Sequence, residues 1–294
     1  MELNGERYTL RLKGGPLSSF EEAKRVADTV RKVGKLTLVS LARSDKTLSP
    51  LPPFNLGDLQ VEAYRVYGLS PLKTQEIAED LYLSALISYP RTNNQRLPKD
   101  LDYRAVIEAL ASQPEYRALC LSLLRETGGR LVPVEGVKTD PAHPAIYPTG
   151  VRPKGLKGKH KAVYDLIVRR FLAAFAPPAL LREVSTEWAA GAYCFTLSIK
   201  GLVRSGWTKY YTFHDYTMFK DLELRVGIAC KVVRVRLTST LTRPRRPYSK
   251  STLLKWMESV NIGTEGTRAR IMETLFDRGY LRLKGKSIEV TRLG

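Results

Sequence analysis

Cysteine is scarce in this 294-residue chain: Cys120, Cys194 and Cys230 lie far apart and form no CxxC pair. That excludes a cysteine-based zinc site and a disulfide framework, and predicts buried free thiols in a reducing compartment. No run of 18 apolar residues occurs, so no membrane-spanning helix is expected. The opening stretch MELNGERYTLRLKGG is polar and has no apolar core of signal-peptide length. Internal repeats and low-complexity tracts are absent as well. Acidic residues are few, with 29 Asp plus Glu against 48 Lys plus Arg, a net charge of +19. An excess this large points to a polyanionic partner, with nucleic acid ahead of an acidic membrane surface. It is concentrated: residues 231–294 hold fifteen Lys or Arg and five Asp or Glu, a net +10. A cytoplasmic, nucleoid-associated protein is the corresponding expectation.

The length allows two to three domains. Residues 6–13 (RYTLRLKG) alternate apolar and polar, as a half-buried strand does. Residues 19–33 read as a helix capped by Ser19, with Glu22 three positions on. KLTLVSLARSDKTL alternates again, and Pro52-Pro53-Phe54 marks a boundary. From Leu56 to about Ala176 the pattern is helical: GDLQVEAYRVYG, SPLKTQEIAEDLYLSALIS as far as Ser88, then 103–126 and 158–175. Ser70-Pro71 fits an N-cap with a first-turn proline. EVSTEWAAGAYCFTLSIKG, WTKYYTFHD and CKVVRVRLTS read as strands, with Gly191, Gly201 and Gly206 at expected turns. Arg243-Pro-Arg-Arg-Pro247 is a basic linker. A helix over 249–259, a second over 268–278 and a hairpin with Gly285 near its tip then trace a winged-helix outline.

Three constellations carry chemistry. In LYLSALISYPRTNNQRLP (81–98) a helical run leads to Tyr89, Pro90, Arg91 and Thr92. A phenol is a weak nucleophile at neutral pH, and a neighbouring guanidinium stabilises both the phenolate and the charge that develops on phosphate. Alone, Tyr-Pro-Arg is a common surface turn. Asp140-Pro-Ala-His143-Pro-Ala-Ile-Tyr-Pro-Thr149 would by itself be a proline-rich loop with one histidine. Residues 261–280, NIGTEGTRARIMETLFDRGY, form a Gly/Thr loop entering a basic helix, whose amides suit a phosphate; an N-capped surface helix is the plainer reading.

Together, in this order, these segments resemble the type IA DNA topoisomerases. Tyr89 to Thr92 fall on "G-L-I-S/T-Y-P-R-T", His143 on "A-H-x-A-I-x-P-T", and Thr267 and Arg278 on "G-I-G-x-x-x-T-x-A…I…T-L…R-G-Y". Bacterial members place Glu and Arg where Pro144 and Tyr147 stand, and archaeal members are closer to this chain. The resemblance implies an α+β, multidomain fold. In it a split β arch domain (1–55 and 178–242) is interrupted by a helical domain bearing the tyrosine (56–177). A partial winged-helix-like DNA-binding domain (243–294) follows. It further implies that Tyr89 attacks single-stranded DNA to form a 5′-phosphotyrosyl link. Arg91 and His143 would be catalytic, and Thr92, Thr264, Thr267, Arg268, Arg270 and Arg278 would bind DNA.

Type IA enzymes also need Mg²⁺, held by the D-x-D pair of a Toprim domain that supplies a catalytic glutamate. The only D-x-D here, Asp100-Leu-Asp102, opens a helix and reads as an N-cap. No metal ligands are therefore expected in these residues, and a separate Toprim polypeptide is the expected partner. The rival expectations are a single-stranded DNA-binding module that has lost the reaction, or a winged-helix regulator built on 249–292.

Overall fold

Several helix starts in this protein are set by short polar side chains. Ser19, Asn55, Ser70 and Asp102 each accept a hydrogen bond from the amide three residues on, opening helices α1 (Phe20–Val33), α2 (Leu56–Tyr67), α3 (Pro71–Leu83) and α4 (Tyr103–Ala111). The computed structural model describes residues 1–3, 5–239 and 247–294. The boundary expected between 242 and 243, and the basic linker apart from Pro247, lie outside the described residues. The class is mixed α and β, and the chain divides into two units.

The first unit comprises Met1–Leu48, Ala179–Ser205 and residues 216–239. It is a seven-stranded antiparallel sheet. In chain order its strands are β1 (Glu2–Leu3), β2 (Glu6–Arg7), β3 (Arg11–Leu12), β4 (Lys35–Leu48), β5 (Ala179–Ala190), β6 (Tyr193–Arg204) and β7 (Ala229–Lys231). Across the sheet they run β2-β1-β7-β4-β5-β6-β3. Strands β4 and β5 pair from Thr37↔Ala189 to Leu48↔Ala179, with an irregularity between Leu38 and Ser40. Helix α1 lays Val26 and Val30 against Leu36, Leu38, Val184 and the wholly buried Trp188. The Trp188 indole is satisfied by Thr186 Oγ1 at 2.8 Å.

Four readings of the sequence change here. The expected strand 6–13 is two short ones: β2 pairs with β1, whereas β3 pairs with β6. Its alternation was right, since Tyr8, Leu10 and Leu12 all pack on the core, but the pairing partner changes midway. CKVVRVRLTS contributes only Ala229–Lys231 as strand. WTKYYTFHD is not a strand: Gly206–Lys209 is a 3-10 helix, and residues 206–215 group with the second unit. Trp207, Tyr210 and Tyr211, all buried, are spaced as on a helix face. Gly201 lies inside β6 rather than in a turn. It is needed there because a Cβ would sit 2.5 Å from Phe219 Cα, where Leu202 exchanges main-chain bonds with Thr217 and Phe219.

The second unit comprises Ser49–Pro178, Gly206–Asp215 and residues 247–294. After α4 come α5 (Pro114–Glu126), α6 (Gly158–Phe175), α7 (Lys250–Ser259), α8 (Arg268–Asp277) and a hairpin of β8 (Leu281–Lys284) and β9 (Ser287–Val290). The helix expected over 103–126 is broken at Pro114, which lacks the amide to continue it. Buried Arg170 of α6 fixes the Pro52-Pro53-Phe54 segment: its Nε donates to the Pro52 carbonyl at 2.6 Å, and its guanidinium lies 4.6 Å from the Phe54 ring centre. Among the described residues no helix is long and apolar enough to cross a membrane.

Gly201→Ala is expected to destabilise the sheet unit by about 1–3 kcal/mol, the usual penalty of overpacking a tight contact. Thermal denaturation measures it, and an unchanged midpoint would contradict the close approach of Phe219.

Candidate active site

The tyrosine-bearing segment has almost no regular structure. Helix α3 stops at Leu83, five residues earlier than its apolar pattern suggests. Ala85 takes a left-handed backbone (φ 57°), at the position where the family motif reads glycine, and Leu86 and Ile87 then turn into the core. From there the chain has no regular structure, and its main-chain groups must find partners outside helix or sheet.

Short polar side chains supply them. Ser88 Oγ accepts from the Tyr147 amide at 3.0 Å and donates to the Ala145 carbonyl. Thr92 Oγ1 donates to the His143 carbonyl at 3.2 Å and accepts from the Asn94 amide at 2.9 Å. Asn94 Nδ2 donates to the carbonyls of Asp140 and His143. The Asp140 carboxylate accepts from the amides of Asn93, Ala142 and His143. Burial alone would raise the Asp140 pKa, but these amides and the nearby His143 outweigh it and hold the carboxyl below its ordinary value. Asn55, while capping α2, donates to the Asn93 carbonyl, and Gln95 Nε2 reaches Asp58 at 2.7 Å. Main-chain bonds from Leu56 to Thr92, Ala145 to Arg96 and Ile146 to Phe54 complete the clasp.

This arrangement packs the half-buried Tyr89 ring against His143, with ring centres 4.6 Å apart and planes tilted by 52°, and sets Tyr82 edge-on at 5.3 Å. Arg91, two residues on, is directed elsewhere: it pairs with Glu79 at 2.7 Å. It also runs beside the Gly/Thr loop, in ordinary van der Waals reach of Gly266: a Cβ there would meet Arg91 Cδ at 3.4 Å. Gln75 Nε2 bridges Glu79 and the Gly266 carbonyl, and Lys138 pairs with Glu258 of α7. The three sequence constellations thus meet within one unit.

The remaining predicted residues divide. Thr92 is fully buried, and its hydroxyl is bonded to His143 and Asn94. Arg268 is also buried, its guanidinium bonded to the Ile262 carbonyl and Glu265. Both side chains are committed to partners within the protein. Thr264, Thr267, Arg270 and Arg278 are exposed. Thr267 stands at the start of α8 but its side chain does not cap it. Its hydroxyl accepts instead from the Thr264 amide at 2.8 Å, so the plain capping reading does not hold.

Asn55, Gln75, Glu79, Ser88, Asn94, Gln95 and Asp140 had no role in the sequence reading. The polar run Asn93-Asn94-Gln95 was the one visible signal, and its partners lie about fifty residues away. Asp102 caps α4, as its position suggested. Among the described residues no group of three His, Cys, Asp or Glu is placed to hold a metal ion.

A sequence profile of the family described as DNA topoisomerase matches residues 3–294. The chain belongs to that family. It is 47% identical over 302 residues to DNA topoisomerase 1 of Aeropyrum pernix, covering 100% of this chain and 44% of that protein. It is 42% identical over 299 residues to DNA topoisomerase 1 of Pyrococcus horikoshii, covering 100% and 43%. Full-length topoisomerase I from Thermotoga maritima matches in structure with a TM-score of 0.74 and 27% identity, over 96% of this chain and 46% of that one. The type IA, archaeal-type resemblance read from the motifs therefore holds. The chain spans less than half the length of these topoisomerases.

Thr92→Val keeps the shape and removes the hydroxyl, leaving the Asn94 amide unpaired and the His143 carbonyl held by Asn94 Nδ2 alone. A loss of about 1–3 kcal/mol is expected in denaturant unfolding. A variant as stable as the parent would show that the clasp does not rest on Thr92.

Proposed function

We propose that these residues carry the nucleophile and the strand-binding surface of a type IA DNA topoisomerase. The observation that carries this reading is the packing of the Tyr89 ring against His143, with ring centres 4.6 Å apart, within a segment whose backbone is fixed on both sides. A nucleophile gains most when its position is set before substrate arrives.

On this reading Tyr89 Oη attacks the phosphorus of a single-stranded phosphodiester. Tyr89 gives up its phenolic proton to water, the P–Oη bond forms, the P–O3′ bond breaks, and the DNA is left joined through a 5′-phosphotyrosine. The bond energy is conserved, so reversal reseals the strand without ATP. His143 donates to a phosphate oxygen. Arg91 exchanges Glu79 for the phosphate, as an exposed ion pair holds it by only about 0–1 kcal/mol while a guanidinium forks onto phosphate oxygens. Thr264, Thr267, Arg270 and Arg278 contact the strand, and Thr92 and Arg268 act as positioning residues. The winged-helix reading of 249–292 belongs to this surface.

The departing 3′ oxygen takes its electron pair and needs a proton. The resemblance assigns that proton to a Toprim glutamate, supplied by sequence outside these residues, in a separate polypeptide or elsewhere in the same protein. Mg²⁺, when bound there, supplies charge neutralisation at the phosphates.

Tyr89→Phe tests the assignment. A labelled single-stranded oligonucleotide is mixed with each protein and with a Toprim-bearing half of a family member, then run on a denaturing gel. The parent should form a covalent adduct and Tyr89→Phe none. Both should bind the oligonucleotide equally, with log K falling by about 3–4 per decade of salt if about five phosphates are contacted. An adduct that persists in Tyr89→Phe contradicts the nucleophile. Binding without an adduct in the parent favours a DNA-binding module.

A further inference from the structure

The start of α6 carries the wrong charge for its own stability. Lys154-Gly155-Leu156-Lys157-Gly158-Lys159-His160-Lys161 leads into and opens this 18-residue helix. Lysines therefore crowd the positive end of the helix dipole, where acidic groups are favoured. The first turn has no acidic residue, and Lys157 at the cap position offers the free amides no side-chain acceptor.

A second observation lies beside it. A pocket of about 200 Å³ opens there, lined by Arg152, Lys157, Lys161, Gln113, Tyr116 and Tyr164 among others. Gln113 and Tyr164 are 3% and 2% exposed, yet Gln113 Nε2 and Tyr164 Oη each lack a hydrogen bond to the described residues. Burial raises the Tyr164 pKa, with the nearby Gln113 amide working against it, so the phenol stays a neutral donor. The two side chains lie close without forming a bond of ordinary geometry. Burying two donors unpaired is unfavourable and calls for a partner. Glu115 is the one acid in the lining, 3.8 Å from Lys161.

The geometry points to an anion site that takes a phosphate group, none of whose lining residues belongs to the Tyr89–His143 site. Arg152, Lys157 and Lys161 supply charge, Gln113 Nε2 and Tyr164 Oη donate hydrogen bonds, and the free amides of α6 complete the cradle. The volume is below the roughly 300–1,000 Å³ of drug-sized ligand sites, so it suits a phosphate and its immediate substituent rather than a whole cofactor. Two sources share this chemistry: a diester in a DNA strand, or a small free phosphate ester.

The test is titration of the full chain with inorganic phosphate against chloride of equal ionic strength, read by calorimetry and thermal shift. Saturable binding is expected. Gln113→Leu should fold at least as stably as the parent, because it removes an unpaired donor, and should bind phosphate on the order of tenfold more weakly. The exposed double substitution Arg152→Ala/Lys157→Ala should weaken binding further, and it carries the test if Gln113→Leu fails to fold. An oligothymidylate that displaces phosphate identifies a strand diester as the natural ligand, and one that leaves phosphate bound identifies a small ester. No saturable phosphate effect, or equal affinity in parent and both variants, overturns the proposal and leaves the two donors as buried, unpaired groups.

Discussion

The Asp140 carboxylate and the Thr92 hydroxyl hold together two chain segments about fifty residues apart, and most of the candidate site depends on that clasp. Asp140 accepts from three amides and Thr92 bonds on both sides of itself. Without them, residues 84–98 would be an extended loop with unpaired buried groups, an unfavourable state. With them, the backbone on either side of Tyr89 is fixed as firmly as a strand would be, while the ring stays partly open. An irregular segment turned by Ala85 presents the phenol where a helix end would have carried it round with the helix.

The same economy governs charge. Arg91 lies two residues from Tyr89 in sequence but is paired with Glu79, beside the Gly266 backbone. The Gly266 carbonyl, held by Gln75, is part of how the 261–280 motif meets the tyrosine motif. Arg268 turns inward to Ile262 and Glu265 and shapes the loop that leaves Thr264 and Thr267 exposed. Basic residues in a DNA-associated family thus do two jobs. Some are committed to building the loop, and others, such as Arg270 and Arg278, stay on the surface.

The local elements were legible because their signals are local. Ser19, Asn55 and Ser70 cap helices through amides three residues away, and the β4 and β5 alternation reports a half-buried sheet. The three motifs were visible as residue strings. What sequence could not give was partnership. Nothing in Thr92 says that its hydroxyl faces His143 rather than DNA, and nothing in Arg268 says that it bonds a carbonyl six residues back. Residues 206–215 misled for a related reason: Trp207, Tyr210 and Tyr211 look strand-like in composition, yet their spacing is that of a helical turn. The early end of α3 was hidden because Leu86 and Ile87 keep an apolar pattern after the helix has stopped.

The clasp is tested most directly by native-state hydrogen exchange at four amides: Asn93, Asn94, Ala145 and Tyr147. Each donates to a partner within the clasp, to Asp140, Thr92, Arg96 and Ser88 respectively. If the clasp fixes the site, these amides exchange as slowly as those of α2, through the same larger opening, although they lie in no helix or sheet. Exchange as fast as in an open surface loop would contradict the account. It would mean that the position of Tyr89 against His143 is set by something other than these bonds.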